Sequence, residues 1–126
     1  MSNTLPTLLL VEDQGFSITL FKAAFPDYTI FTAATGEECL EIHKHEKPDI
    51  TFLDIGLPDI SGLDVLKTLV AEHGNPYIVM LSGMNNDQYI KRSIELGAKG
   101  FLTKPYNKEF ILHYISEFIS KKTASP

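Results

Sequence analysis

Short apolar runs alternate with longer segments of helical period along the chain, and that alternation constrains the fold more than any other feature. Thr7–Val11, Tyr28–Ala33, Ile50–Leu53 running into Asp54, Tyr77–Leu81 and Ala98–Leu102 read as strands. Between them lie helical segments with readable ends. Phe16 to Phe25 is stopped by Pro26, and Thr35-Gly36-Glu37-Glu38 has the pattern of a capping box opening a helix to about Glu46. Ser61 is placed to cap a helix carrying Leu63, Leu66 and Val70 on one face. Asn86 to Leu96 is closed by Gly97, and Asn107 starts a last helix. The strands are almost continuously apolar, as strands buried on both faces must be. The pattern therefore predicts an α/β fold, with a five-stranded parallel sheet, helices on both faces and right-handed crossovers.

In the last helix Phe110, Tyr114 and Phe118 form one row, and Ile111, Ile115 and Ile119 the next. One row is expected to face the core, leaving the other as an apolar strip for a partner. The length of 126 residues suits one domain over 1–126, with a core of about 6–120 and a flexible tail at 121–126. A net charge of −5 argues against nucleic acid as a ligand, because the phosphate backbone calls for a basic face. Cys39 sits in a helical pattern and reads as a small buried hydrophobe. Met1 to Pro6 does not resemble a signal peptide, and the apolar runs are too short to span a bilayer, so the expectation is a cytoplasmic protein.

In a parallel α/β sheet, ligands bind beyond the carboxyl ends of the strands. Those ends carry few strong polar groups here: Glu12 and Asp13, Asp54, Ser82 and Lys104. Each alone could be a turn former, a helix cap or a solvated amine. Together they place three acids, a hydroxyl and a lysine on one edge. Clustered carboxylates repel, and a hard divalent cation such as Mg²⁺ (or Mn²⁺) relieves the repulsion through oxygen ligands. The four histidines, His43, His45, His73 and His113, lie on helices away from this edge, which disfavours zinc. A cation beside carboxylate, hydroxyl and ammonium suits a phosphoryl group.

These residues resemble the receiver domain of bacterial response regulators. The matching stretches are Leu8–Asp13, Pro48–Pro58, Ser61–Leu66, Met80–Gly83 and Leu96–Pro105, in order and at the usual spacing. The resemblance implies a flavodoxin-like doubly wound sheet of order 2-1-3-4-5. It implies Asp54 as the acceptor of a phosphoryl group from a sensor histidine kinase or histidine phosphotransfer protein. Asp13, Asp54 and the Gly56 carbonyl would hold the cation, with Glu12 acting through water. Ser82 and Lys104 would bind the phosphoryl oxygens, and Lys104-Pro105 would be cis. Ser82 and Phe101 would form a switch that repacks the face of the fourth helix, fifth strand and fifth helix for a downstream protein, or for a phosphorylation-dependent dimer. The family implies a signalling phosphoacceptor that assists its own phosphorylation and dephosphorylation, with no role for nucleic acid or membrane.

Gly56 and Met84 stand where many relatives carry polar side chains flanking the attacking water, so slow self-dephosphorylation is expected. One rival reading is a phosphatase with Asp54 as nucleophile, but Gly56 replaces the second acid such enzymes carry two residues later. Another is a flavin-binding protein, but Glu12-Asp13-Gln14 would repel a cofactor phosphate. A third, a receiver that signals without phosphate, conflicts with the complete acid, hydroxyl and lysine set. No output domain follows the last helix, which fits either a stand-alone regulator or part of a longer chain.

Overall fold

A computed structural model describes residues 5–83 and 86–124. The elements are β1 (Leu8–Val11), α1 (Gly15–Ala24), β2 (Ile30–Ala33), α2 (Gly36–Glu46), β3 (Ile50–Asp54), α3 (Gly62–His73), β4 (Ile78–Ser82), α4 (Asp87–Glu95), β5 (Gly100–Thr103) and α5 (Lys108–Ala124). The five strands form one parallel sheet in the order β2-β1-β3-β4-β5, as the resemblance implies.

Alternation along the strands divides the core into two layers. Leu8, Leu10, Phe52, Val79, Leu81 and Leu102 meet Phe21 and Phe25 of α1 and Ile111 and Ile115 of α5. Leu9, Val11, Leu53, Ile78 and Met80 meet Cys39 of α2 and Val65, Leu66 and Leu69 of α3. Residues such as Phe52, Leu53 and Leu81 are fully buried, each contributing about 1.5–3 kcal/mol of apolar transfer. Cys39 is also fully buried, and burial together with the Asp59 charge pushes its thiol up to about 12.

The helix ends follow the sequence, with two differences. Thr35 accepts the Glu38 N–H at 3.1 Å, but the Glu38 carboxylate accepts from Ala34 at 2.7 Å instead of from Thr35, so the predicted box is shifted by one residue on its return side. Ser61 and Asn86 cap α3 and α4 through the Leu63 and Gln88 amides. Gly97 takes a φ of 110°, which a side chain would strain. The second difference is α5, which runs to Ala124 through the segment expected as a tail. Its two apolar rows divide unevenly. Ile111 and Ile115 are buried and Tyr114 and Phe118 partly so, while Phe110 and Ile119 are exposed.

Candidate functional site

Register brings the polar strand ends to one level. Val11 pairs with Leu53, Asp54 with Leu81, and Ser82 with Thr103, so Glu12, Asp54, Ser82 and Lys104 emerge together at the C-terminal edge of the sheet. Glu12, Asp54 and Ser82 are buried, Lys104 is partly buried and Asp13 is exposed. Oxygen atoms of Glu12, Asp13 and Asp54 lie within 4.8 Å of one another.

The Lys104 ammonium donates to Glu12 Oε2 and to Asp54 Oδ2, both at 2.5 Å. The other Asp54 oxygen, Oδ1, accepts the Gly56 N–H at 2.9 Å, and Glu12 Oε1 accepts the Gln14 N–H at 3.4 Å. Lys104 is held in turn by its backbone, whose N–H donates to the Ser82 carbonyl at 2.7 Å, and a cis peptide joins it to Pro105. Burial pushes the Glu12 carboxyl above its ordinary pKa, with the Lys104 hydrogen bond opposing the shift and the Asp54 charge adding to it. For Lys104, burial alone would lower the ammonium, but the hydrogen bonds to Asp54 and Glu12 outweigh it and hold its pKa raised.

One ammonium, bound to two carboxylates, thus stands against a cluster of three. The excess of negative charge, offered entirely by oxygen, fits a hard divalent cation. Among the described residues no histidine or cysteine joins the cluster, in keeping with the sequence argument against zinc. The Glu12 contact with Lys104 was not foreseen, and neither was Tyr106. Tyr106 joins Glu12, Lys104 and Leu20 in lining a cavity of about 490 Å³ between α1 and the segment leading into α5, and burial raises its phenol.

Phe101 is partly buried on the α2–α3 side of the sheet, opposite Met80 in register. Ser82 lies two residues beyond Met80, so the two members of the expected switch share a face. Met84 lies outside the described residues.

The sequence profile of the response regulator receiver domain matches residues 8–116, and the chain belongs to that family. It is 32% identical over 113 residues to the chemotaxis protein CheY of Listeria monocytogenes, covering 87% of this chain and 95% of that one. It is also 32% identical over 119 residues to the cell cycle response regulator CtrA of Brucella ovis, covering 90% of this chain and 50% of that one. Among solved structures, a CheY-like receiver domain protein from Methanospirillum hungatei superposes with a TM-score of 0.88 at 25% identity, covering 97% of this chain and all of that one. A chain of the CheX–CheY–BeF3–Mg²⁺ complex from Borrelia burgdorferi superposes with a TM-score of 0.82 at 28% identity, covering 91% and 90%. The chain is a flavodoxin-like receiver domain with a phosphoacceptor role in two-component signalling, which makes it a signalling domain and not a classical enzyme. Among the described residues no helix is long and apolar enough to cross a membrane.

Proposed function

We propose that Asp54 is the residue that accepts the phosphoryl group, taking it from a phosphohistidine of a kinase or phosphotransfer protein, or from a small phosphodonor. The observation that carries this reading is the placement of a buried carboxylate at the end of β3, flanked by two further acids and paired with Lys104 at 2.5 Å. An Asp54 oxygen attacks phosphorus, the bond from phosphorus to the donor nitrogen breaks, and the imidazole leaves with its electron pair and takes up a proton.

Asp13, Asp54 and the Gly56 carbonyl would hold Mg²⁺ or Mn²⁺, with Glu12 acting through water. Bound there, the cation neutralises charge on the transferring group. Lys104 stays in the pocket and pairs with a phosphoryl oxygen, and the Ser82 hydroxyl donates to another. Ser82 then draws toward the phosphoryl group, and Phe101, on the same face of the sheet, turns into the space released. The readout is a repacked face of α4, β5 and α5, where the exposed side chains of Ile94, Phe110 and Ile119 meet a downstream protein or a second copy. The same reading puts the chain in the cytoplasm. The BeF3 and Mg²⁺ in the Borrelia complex support the phosphoryl and cation assignments by likeness.

Incubation with a small acyl phosphate and Mg²⁺, followed by intact mass, tests the proposal. The expected result is a gain of one phosphate, absent without the cation and absent in Asp54→Asn. A gain that persists in Asp54→Asn refutes it.

A further inference from the structure

The chain must reverse direction after Asp54, and the loop that does so is fastened at two places. At its base the Ile55 carbonyl accepts the N–H groups of Leu57 at 3.1 Å and Gly62 at 2.8 Å. At its tip the Asp59 carboxylate leaves the loop altogether and grips the start of α2. Oδ1 accepts the Gly36 N–H at 2.8 Å, and Oδ2 accepts the Glu37 N–H at 2.9 Å. These are the first two amides of α2, donors that the helix itself cannot satisfy, and Thr35 takes the third. The donors stabilise the ionised form, so the Asp59 carboxyl is held below its ordinary pKa, through Gly36 first and Glu37 second. The neighbouring Ile60 closes the join, lying so near Gly36 that a Cβ there would come within 2.5 Å of its Cγ1.

Gly56 sits within the base, between Ile55 and Leu57 and three residues before Asp59, and its N–H reaches Asp54 Oδ1. Glycine has the widest backbone freedom of any residue and no side chain to anchor it, so its orientation depends on how the ends of its loop are held. We infer that Asp59 is a positioning residue for the phosphoacceptor site. By capping α2 from inside the loop that follows Asp54, it fixes Gly56 against the Asp54 carboxylate and sets the Gly56 carbonyl toward the cation. The cation half of this statement rests on the function proposed above; the placement of Gly56 does not.

The test compares Asp59→Ala, Asp59→Asn and Thr35→Ala in the full chain. Thr35→Ala removes a cap from the same helix without touching the loop, so it controls for a merely structural effect. Amide hydrogen exchange of Gly56 is read by NMR without metal, and Mg²⁺ affinity by titration. In Asp59→Ala, Gly56 exchange is expected to rise about five- to tenfold, the net worth of about one ordinary hydrogen bond, because the Asp59 carboxylate is open to water. Mg²⁺ affinity is expected to fall roughly tenfold, as on loss of an outer-shell partner. Asp59→Asn, which keeps one acceptor, shows smaller changes of the same sign and serves alone where the alanine variant does not fold. Thr35→Ala leaves both quantities unchanged. Unchanged Gly56 exchange in both Asp59 variants, or an equal change in Thr35→Ala, overturns the inference. Loosened Gly56 exchange in a protein whose parent binds no Mg²⁺ upholds the positioning role and removes the cation assignment instead.

Discussion

Replacing Gly62 with alanine presses on the phosphoacceptor from behind. A Cβ at this position would lie 2.2 Å from the Asp54 carbonyl oxygen, 2.6 Å from Ile55 Cα and 2.9 Å from the Asp54 carbonyl carbon. Carbon contacts settle near 3.5–4.0 Å, so the start of α3 and the end of β3 must part by roughly 1 Å. All three obstructing atoms are backbone, and none can be relieved by a rotamer change. Overpacking of this kind costs about 1–3 kcal/mol, and the absence of a flexible partner puts Gly62→Ala at the upper end. For a domain of this size that corresponds to a drop of roughly 10 °C in Tm. Gly15→Ala is the matched control, since a Cβ there meets nothing within 4 Å at the first residue of α1. It should be neutral or stabilising by up to about 1 kcal/mol. Thermal melts followed by far-UV circular dichroism, with urea midpoints as a second measure, read both variants. A Gly62→Ala melt within about 2 °C of the parent, less than 1 kcal/mol would produce, refutes the packing argument.

Mg²⁺ at ten times its dissociation constant should stabilise the fold by about 1.4 kcal/mol, and Asp13→Asn should lose most of that gain; calorimetry with and without the cation measures it. His43 is buried against His73, ring centroids 4.5 Å apart, and burial first, then the His73 charge, lowers its pKa from 6.5, with Glu72 opposing. The unfolded chain therefore binds more protons below pH 6.5, so stability is full above that value and falls as the pH drops through the lowered pKa. Urea midpoints should decline on acidification and decline less in His43→Phe. At Gly56 a Cβ would meet only Asp54 Oδ1, at 3.8 Å, so a polar side chain fits. Gly56→Asn should shorten the acyl phosphate lifetime at least tenfold, within the ~100-fold that a well-placed polar group supplies, as read by phosphate release.

The fold was legible because both faces of the sheet are covered. Strands such as Leu8–Val11 and Ile50–Leu53 had to be almost wholly apolar, and the first acid after each pointed to the carboxyl edge of the sheet. Asp54, Glu12, Ser82 and Lys104 were picked out in this way, and the structure brings them to one edge. Pairings across that edge were not legible. The Lys104 contact with Glu12 spans 92 residues, and it depends on the register of β1, β3, β4 and β5, which no local pattern encodes. Asp59 was not singled out, because its partners are backbone amides of a helix that lies earlier in the chain. The end of α5 was missed for a different reason. Its last turns are polar, and the Lys121 and Lys122 ammonium groups, over the Tyr77 and Phe118 rings, tie them down past the apolar rows.

The central question is which side chain holds the phosphoryl group. Borohydride reduces an acyl phosphate to an alcohol, marking the modified side chain permanently for peptide mapping by mass spectrometry. Protein treated with a phosphodonor and Mg²⁺ should carry that mark at Asp54 and nowhere else. A mark at Glu12 or Asp13, or a phosphorylated protein with Asp54 unmarked, would contradict the account.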